Sequence, residues 1–255
     1  MKISIIVPCY NEEENIGKLK SEFFPVIDGL RGSRPANGIE IEAVEIVFVD
    51  DGSRDQTFNI LQSTFGSSNG KLISVVLEKH EANRGLGAAL RTGFCASTGD
   101  VVVTTDSDGT YQFSTIPALL EHLTENVDIV TASPYHPRGE VVGVPGYRIF
   151  LSRGSSLLYR LLVDWRIRTY TALFRAYRRK VVDEIRFEAD DYLGATELMV
   201  KAILKGYRVE EYPAALHRRV FGVSKAKLLR TIISHLGFQI RLLLHRLRLR
   251  SIFDG

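Results

Sequence analysis

The stretch Lys2–Glu12, KISIIVPCYNE, places a run of apolar residues directly before a short polar turn. An apolar run without alternation is typical of a strand that is buried on both faces of a parallel sheet. The same arrangement recurs at residues 44–53, VEIVFVDDGS, and at residues 101–109, VVVTTDSDG. Segments with helical spacing separate the three strands. This alternation predicts an α/β fold with a doubly wound, mostly parallel sheet flanked by helices.

The second half of the chain departs from this regular alternation. Further strands are predicted at residues 72–77 and 128–132, and a loop rich in Gly and Pro follows at 134–147. Beyond the loop we predict helices at residues 149–162 and 194–204 and strands at residues 169–177 and 208–216. A long basic amphipathic helix is predicted at residues 225–250, with a break near Gly237. We therefore expect one domain at 1–225, with a boundary between two halves at 132–133, and a C-terminal amphipathic helix at 226–255.

Composition limits the class of protein. The 255 residues carry a net charge of only +3, and 45% of them are hydrophobic, as in an ordinary globular protein. The two cysteines, Cys9 and Cys95, are too few for a disulfide framework and fit a reducing compartment. No apolar run reaches the roughly 18 residues of a membrane span, and the N-terminus lacks a signal-peptide pattern. We expect a cytoplasmic protein that is peripheral on the cytoplasmic face of a membrane.

The end of the chain is strongly basic. Residues 212–253 contain no Asp or Glu but nine Lys and Arg residues. The charges accompany an apolar stripe in the predicted helix at 225–250, and such a helix can lie on an anionic membrane surface. Packing on the core is the alternative, and pairing with a membrane-anchoring subunit or a homodimer would also cover the stripe. A nucleic-acid-binding protein is a remote alternative, since no aromatic platform is interleaved with the charges.

Two aspartates after the strand at 101–105 form a predicted metal site. Asp106 and Asp108 follow an apolar strand, and the carboxyl ends of parallel strands form the binding edge of an open α/β sheet. Two neighbouring carboxylates repel each other unless a cation lies beside them. Hard oxygen ligands suit Mg²⁺ or Mn²⁺, usually shared with substrate phosphates. The alternative is a turn with helix-capping aspartates.

Polar residues after the first two strands are candidate nucleotide contacts. Asp51 could accept hydrogen bonds from a base or ribose, and Tyr10 could pack on the base. The alternative for residues 50–53 is a turn with Ser53 as a helix N-cap. Glu12 either contacts the ligand or stabilises the first turn of its helix.

Two further motifs are candidate phosphate sites. Residues 83–87, NRGLG, open a predicted helix, and their glycines would let a phosphate approach its N-terminus. The later motif RRVFGVSK supplies Arg219 and Lys225. Arg is suited to bidentate phosphate contact and Lys acts as a point charge. A solvated basic turn is the alternative.

These motifs together resemble glycosyltransferase family 2, over nearly the whole chain. The generic family is similar to VPCYNEEENI, VDDGSRDQT, NRGLGAALRTGF and TGDVVVTTDSDGTY. The dolichyl- or polyprenyl-phosphate mannosyltransferase branch is similar to SRGSSLLYRLL, FRAYRR and RVFGVSKAKLLRT. The resemblance implies the Rossmann-like GT-A fold. The domain at 1–225 would then be a single GT-A catalytic domain, with a nucleotide-binding half at 1–132 and an acceptor half at 133–225. It also implies transfer of a hexose, mannose or glucose, from a GDP- or UDP-linked donor to a lipid phosphate.

The resemblance also implies roles for individual residues. Pro8, Tyr10 and Glu12 would contact the nucleotide, and Val49 and Asp51 would hold the base and ribose. Asp106, Ser107 and Asp108 would bind the metal and the diphosphate, and Arg219 and Lys225 would add two cations. Asp108, Arg219 and Lys225 would thus take part in catalysis directly.

The sequence departs from the branch pattern at two places. Thr110 replaces the Gln that often assists the metal, and Pro134 replaces an Arg after the fifth strand, where Arg138 is a candidate substitute. Both changes concern the donor sugar and the diphosphate. The identity of the donor sugar and of the nucleotide base, mannose and guanine in that branch, therefore stays open.

The expected acceptor follows from the absence of a candidate acidic pair that could act as general base. Sugar hydroxyls need a general base, but the acidic pair of hydroxyl-directed relatives is absent from residues 192–197, YLGATE. A lipid phosphate is already anionic and needs none. We therefore expect direct attack by polyprenyl phosphate with inversion. Transfer to sugar hydroxyls is the alternative, with Glu197 as the remaining candidate base unless it is an ordinary helix residue.

Overall fold

The computed structural model describes residues 1–30, 32–33, 40–66, 73–219 and 228–253. Its strands, in chain order, are β1 (Lys2–Cys9), β2 (Ala43–Asp50), β3 (Ile73–Lys79), β4 (Val101–Thr104), β5 (Ile129–Ser133), β6 (Glu140–Val142), β7 (Arg175–Arg178), β8 (Val209–Pro213) and β9 (Ala215–His217). Seven of them form one sheet in the order β3-β2-β1-β4-β7-β5-β8, and β6 pairs with β9 in a small second sheet. In the large sheet only β7, among the described strands, runs antiparallel to its neighbours. The predicted mostly parallel α/β sheet is confirmed.

The helices cover both faces of this sheet. They are α1 (Ile16–Lys18), α2 (Phe24–Leu30), α3 (Thr57–Phe65), α4 (Leu86–Ala96), α5 (Ile116–His122), α6 (Gly146–Leu162), α7 (Arg179–Glu184), α8 (Leu193–Leu204) and α9 (Leu228–Arg246). A π-helical turn at Leu19–Phe23 joins α1 to α2. Side chains of α1 to α3 and α5 pack on one face, and those of α4 and α6 to α9 on the other.

The continuous apolar strands supply both cores. Side chains alternate between the faces of a strand, so Ile3, Ile5 and Val7 of β1 join one core, while Ile6 joins the other. In β2, Phe48 and Val49 separate in the same way. Burial on both faces is the physical reason why these strands lack the alternating pattern of a half-exposed sheet.

Three predicted elements differ in the structure. The strand expected at 208–216 divides at Ala214 into β8 and β9, which belong to different sheets. The strand expected at 169–177 is shorter and forms only at β7. The predicted break near Gly237 is wrong, because α9 continues through that residue.

Candidate active site

The carboxyl ends of β1, β2 and β4 meet at one edge of the sheet, as expected for a doubly wound fold. A cavity of about 900 Å³ opens there. Among its lining residues are most of the predicted ligand contacts, namely Pro8, Tyr10, Glu12, Asp51, Asp106, Ser107, Asp108 and Arg219. Three short motifs that are far apart in the chain therefore form one site.

The centre of the site is an acidic cluster that is bridged by Arg219. Its guanidinium donates to Glu12, and its Nε lies 3.2 Å from Oδ2 of Asp108. Glu12 also accepts a hydrogen bond of 2.6 Å from the amide of Asn15. Arg219 thus joins the segments that follow β1 and β4, both of which are far from it in the sequence.

Electrostatic repulsion in this cluster favours a bound cation. Burial and the nearby charge of Asp108 raise the pKa of Asp106 to about 8, although Arg219 opposes the shift. Burial also raises the pKa of Glu12, again against the effect of Arg219. One guanidinium thus faces three carboxyl groups, and the ionised form of Asp106 is destabilised. A divalent cation would favour the ionised form.

The donor set fits a metal shared with a substrate. Asp106 and Asp108 offer hard carboxylate oxygens, which Mg²⁺ and Mn²⁺ prefer. Within the described ranges, no three carboxylate, imidazole or thiol groups are placed to hold a metal ion by themselves. Two aspartates would leave the remaining coordination positions to diphosphate oxygens and water, as is usual for Mg²⁺ beside a phosphate.

Thr110 orients Asp108. Its hydroxyl and its backbone N–H both donate to Oδ1 of Asp108, at 2.5 and 2.9 Å. Lys18 donates to the backbone carbonyl of Asp108 at 3.1 Å. Gly109 between them adopts a φ of +65°, and a Cβ there would lie 2.9 Å from the Lys18 ammonium nitrogen. The residue that departs from the branch pattern therefore positions a predicted metal ligand.

Asp51 lies at the cavity, and four protein groups form hydrogen bonds with its carboxylate. His80 Nδ1 lies 2.7 Å from Oδ1, and Asn83 donates to Oδ2 at 2.8 Å. The backbone N–H groups of Arg84 and Gly85 donate to the same carboxylate at 2.9 and 2.8 Å. Asp51 thus shapes the loop at 80–85, and its contact with base or ribose stays a prediction.

Ser53 does not cap the following helix. Its hydroxyl accepts a hydrogen bond of 2.9 Å from the backbone N–H of Asn11, which ties the first motif to the second. The helix starts later, at Thr57, whose backbone N–H donates to Asp55 at 3.0 Å.

The glycines at 85 and 87 do not form a phosphate cradle. Gly85 donates its N–H to Asp51, and the N–H of Gly87 donates to the carbonyl of Asp190 at 2.7 Å. A Cβ at Gly87 would lie 2.0 Å from the carbonyl oxygen of Ala189. Close approach of the 189–190 backbone explains these glycines, and the N-terminus of α4 is closed by protein.

The chain matches a known protein family over most of its length. The sequence profile described as "Glycosyl transferase family 2" matches residues 4–186. The chain belongs to glycosyl transferase family 2. The GT-A fold fits solved structures of glucosyl-3-phosphoglycerate synthase from Mycobacterium tuberculosis. One of these, in complex with Mn²⁺, UDP-glucose and phosphoglyceric acid, has a TM-score of 0.68 and 21% identity, and the match covers 98% of this chain and 81% of that one.

Two curated relatives of this family 2 chain are lipid-directed enzymes by name. The chain is 31% identical to a dolichol-phosphate mannosyltransferase of Pyrococcus furiosus, over 95% of its own length and 64% of that protein. It is 32% identical to a polyprenol monophosphomannose synthase of Mycolicibacterium smegmatis, over 87% of its own length and 79% of that protein. The chain thus spans just under two thirds of the first relative.

Two of the remaining predicted residues, Val49 and Arg138, are described by the structure and do not line the cavity. Val49 is fully buried in the core, so its role toward base and ribose stays a prediction. Lys225 lies outside the described residues. Arg138 is exposed and is not among the lining residues, whereas Tyr135 from the same loop is.

Glu197 is a structural residue. It is 1% exposed, its Oε1 lies 2.8 Å from Lys201 Nζ, and its Oε2 accepts from the N–H of Ala189 at 2.9 Å. It does not line the cavity. The interpretation as an ordinary helix residue is therefore favoured over that of a general base.

An apolar groove adjoins the polar cavity. The groove, of about 610 Å³, lies between α6 and α9 and is lined mainly by apolar side chains, among them Phe150, Leu151, Leu158, Ile232 and Leu236. It shares four lining residues with the cavity, which are Tyr147, Arg148, Ser152 and Tyr192. The sequence analysis assigned no ligand contact to these four residues, because they come from α6 and from the turn before α8 rather than from strand ends.

The outer surface of α6 and α9 is also apolar. α9 packs on the core through one face, which includes His235, Phe238 and Leu242. The predicted apolar stripe lies largely on another face, where Leu229, Ile233 and Ile240 are exposed by 60% or more. In the described part of the chain, no helix is both long enough and apolar enough to span a membrane.

Proposed function

We propose that this chain transfers a hexose, mannose or glucose, from a nucleotide-diphosphate sugar to a polyprenyl or dolichyl phosphate, with inversion. The junction between the acidic cavity and the apolar groove carries this proposal. An acceptor with an anionic head and an isoprenoid tail fits such a pair of spaces, since the head can lie at the junction near Arg148 and the tail in the groove. The names of the curated relatives support the same acceptor class.

The donor would lie at the acidic edge. We propose that Asp106 and Asp108 hold Mg²⁺ or Mn²⁺, which would offset the charge that develops on the departing diphosphate. Arg219 would contact that diphosphate from the other side, with Lys225 as a second cation. Pro8, Tyr10, Glu12, Val49 and Asp51 would hold the nucleotide, in agreement with the edge on which four of them lie.

The chemistry requires no general base from the protein. The acceptor phosphate is anionic at neutral pH and attacks the anomeric carbon directly, and the bond to the departing diphosphate breaks as the new bond forms. The residues then need only to orient two phosphates and to neutralise the leaving group. The buried, ion-paired position of Glu197 agrees with this absence.

We further propose that the outer face of α6 and α9 rests on a membrane. Exposed apolar side chains occur there together with arginines, which suits the interface of an anionic leaflet. The two free cysteines agree with a cytoplasmic location. A membrane-anchoring subunit or a second copy of the chain would cover the same face, and we assign no nucleic-acid partner.

A transfer assay tests the proposal. Radiolabelled GDP-mannose and UDP-glucose are incubated with Mn²⁺, the purified chain and polyprenyl phosphate, and the organic phase is counted. The matched control acceptor is the polyprenol of the same length, which lacks the phosphate. We expect an acid-labile lipid product with the phosphate and none with the alcohol. Transfer to sugar hydroxyls alone would contradict the proposal.

A further inference from the structure

Both carboxylate oxygens of Asp108, a predicted metal ligand, already have partners in the protein. Oδ1 accepts two hydrogen bonds from Thr110, one from the hydroxyl at 2.5 Å and one from the backbone N–H at 2.9 Å. Oδ2 lies 3.2 Å from Nε of Arg219. A carboxylate oxygen has about two lone-pair sites. Oδ1 therefore has none left, and Oδ2 is the oxygen of Asp108 that a metal ion would need.

A guanidinium and a divalent cation repel each other if they share this oxygen. The side chains of Arg219 and Asp108 are only 17% and 12% exposed, so water and salt screen the charges less than at an open surface. Two cations that are a few ångströms apart repel each other strongly in such surroundings. Arg219 must therefore move away from Asp108 before a metal ion can bind to Oδ2.

A second acidic group holds Arg219 in this position. Its guanidinium donates to Oε2 of Glu12, whose side chain is 8% exposed. The same oxygen accepts a hydrogen bond of 2.6 Å from the amide of Asn15, which fixes the carboxylate. One guanidinium thus neutralises part of the negative charge that would otherwise attract a metal ion to this edge of the sheet.

A diphosphate offers the guanidinium a different partner. The planar fork of an arginine matches two phosphate oxygens, and such charge-assisted pairs are among the strong hydrogen bonds. In the proposed function, the diphosphate of the donor lies at the same acidic edge. Its oxygens would draw Arg219 away from Asp108 and would also supply further ligands to the metal ion.

We propose that Arg219 is an internal cation that blocks Oδ2 of Asp108 until a nucleoside diphosphate displaces it, so that metal ion and donor bind together and the metal ion alone binds poorly. This inference rests on the proposed function, in which Arg219 contacts the diphosphate. It adds a role in the donor-free protein, where the same side chain opposes the metal ion. The coupling is reciprocal, since each ligand then raises the affinity for the other.

Mn²⁺ binding tests the proposal without any transfer reaction. The dissociation constant of Mn²⁺ is measured by titration calorimetry for wild type and Arg219→Gln, alone and with saturating GDP or UDP. Without nucleotide, Arg219→Gln should bind Mn²⁺ at least about tenfold more tightly than wild type, because the competing close ion pair is gone. With nucleotide this gain should disappear or reverse, because the variant lacks the contact with the diphosphate.

Arg218→Gln is the matched control. Arg218 lines the same cavity, and its guanidinium forms no ion pair with a carboxylate in the described part of the chain. Both variants remove one positive charge from the cavity wall, so a general electrostatic effect would raise the affinity for Mn²⁺ equally in both. Release of Oδ2 predicts a change of about twofold or less for Arg218→Gln. Thermal unfolding without ligand confirms that both variants fold.

The outcomes are distinct. Equal or weaker Mn²⁺ binding by Arg219→Gln without nucleotide would overturn the inference, and so would an equal gain in Arg218→Gln. Either result leaves the proposed function standing if wild type still binds Mn²⁺ with nucleotide and still transfers hexose. A wild type that binds no Mn²⁺ in either condition and transfers no hexose would overturn both the inference and the proposed function.

Discussion

Gly87, in the first turn of α4, touches the segment before α8, and we predict that Gly87→Ala destabilises the fold. The added Cβ would lie 2.0 Å from the carbonyl oxygen of Ala189 and 3.0 Å from the carbonyl carbon of Asp190. These are backbone atoms, so they cannot rotate away as a side chain can. The segment must move, and its movement stretches the hydrogen bonds of 2.7 and 3.3 Å that Gly87 and Ala88 donate to Asp190.

The magnitude follows from three contributions. Overpacking typically costs about 1–3 kcal/mol, and each weakened hydrogen bond about 1 kcal/mol. Alanine is a better helix former than glycine and returns about 1 kcal/mol. The free energy of unfolding should therefore fall by about 2–4 kcal/mol. For a chain of this size, each kcal/mol lowers the midpoint of thermal unfolding by about 2–4 °C, so the midpoint should fall by roughly 4–16 °C.

Circular dichroism during thermal and urea unfolding measures the effect. Gly154→Ala is the matched control, because Gly154 lies inside α6 and a Cβ there meets no atom within 4 Å. The control should gain up to about 1 kcal/mol. A Gly87→Ala protein as stable as wild type would refute the packing argument. A Gly87→Ala protein that is as stable as wild type but no longer binds nucleotide sugar would instead support the prediction that a phosphate lies at residues 83–87.

Three further predictions concern charge, pH and the membrane. Arg219→Ala should lower kcat on the order of a hundredfold, and Arg219→Lys should not restore it, because an ammonium lacks the planar fork that faces both Glu12 and Asp108. Burial lowers the pKa of His235 to about 4. In the unfolded chain the pKa of a histidine is near 6.5, so the free energy of unfolding should fall by up to about 3 kcal/mol as the pH is lowered from 6.5 to 4. Urea unfolding of His235→Gln should show a weaker dependence of stability on pH. Replacing the exposed Leu229, Ile233 and Ile240 by Ser should lower sedimentation with anionic vesicles at least about tenfold, with an unchanged midpoint of thermal unfolding; unchanged sedimentation would argue against the membrane face.

The strand ends were the predictable part of the site. Polar residues directly after continuous apolar strands must lie at one edge of a parallel sheet, and so Glu12, Asp51 and Asp108 were correctly placed together. Both the fold class and the strands β1, β2 and β4 follow from the same pattern. The local sequence is sufficient for these strands, because a strand that is buried on both faces is a continuous run of mostly apolar residues.

Contacts between distant segments could not be predicted in this way. The pairing of Glu12 with Arg219 and the carbonyl of Asp190 at the start of α4 join residues about 100 to 200 positions apart. The glycines of the 83–87 motif are an example. A glycine is needed wherever a phosphate or another backbone segment comes close, so the sequence alone does not distinguish the two, and the structure shows the backbone of residues 189–190.

Donor binding tests the central claim most directly. Thermal unfolding of wild type and Asp108→Asn is followed with GDP- and UDP-linked hexoses, in Mn²⁺ and in chelator, because a ligand of the folded state raises the midpoint. We predict that one donor stabilises wild type in Mn²⁺, and that chelator or Asp108→Asn abolishes the shift. A shift that persists in chelator and in Asp108→Asn would contradict a metal-assisted donor site at this edge of the sheet, and no shift with any donor would contradict the site itself.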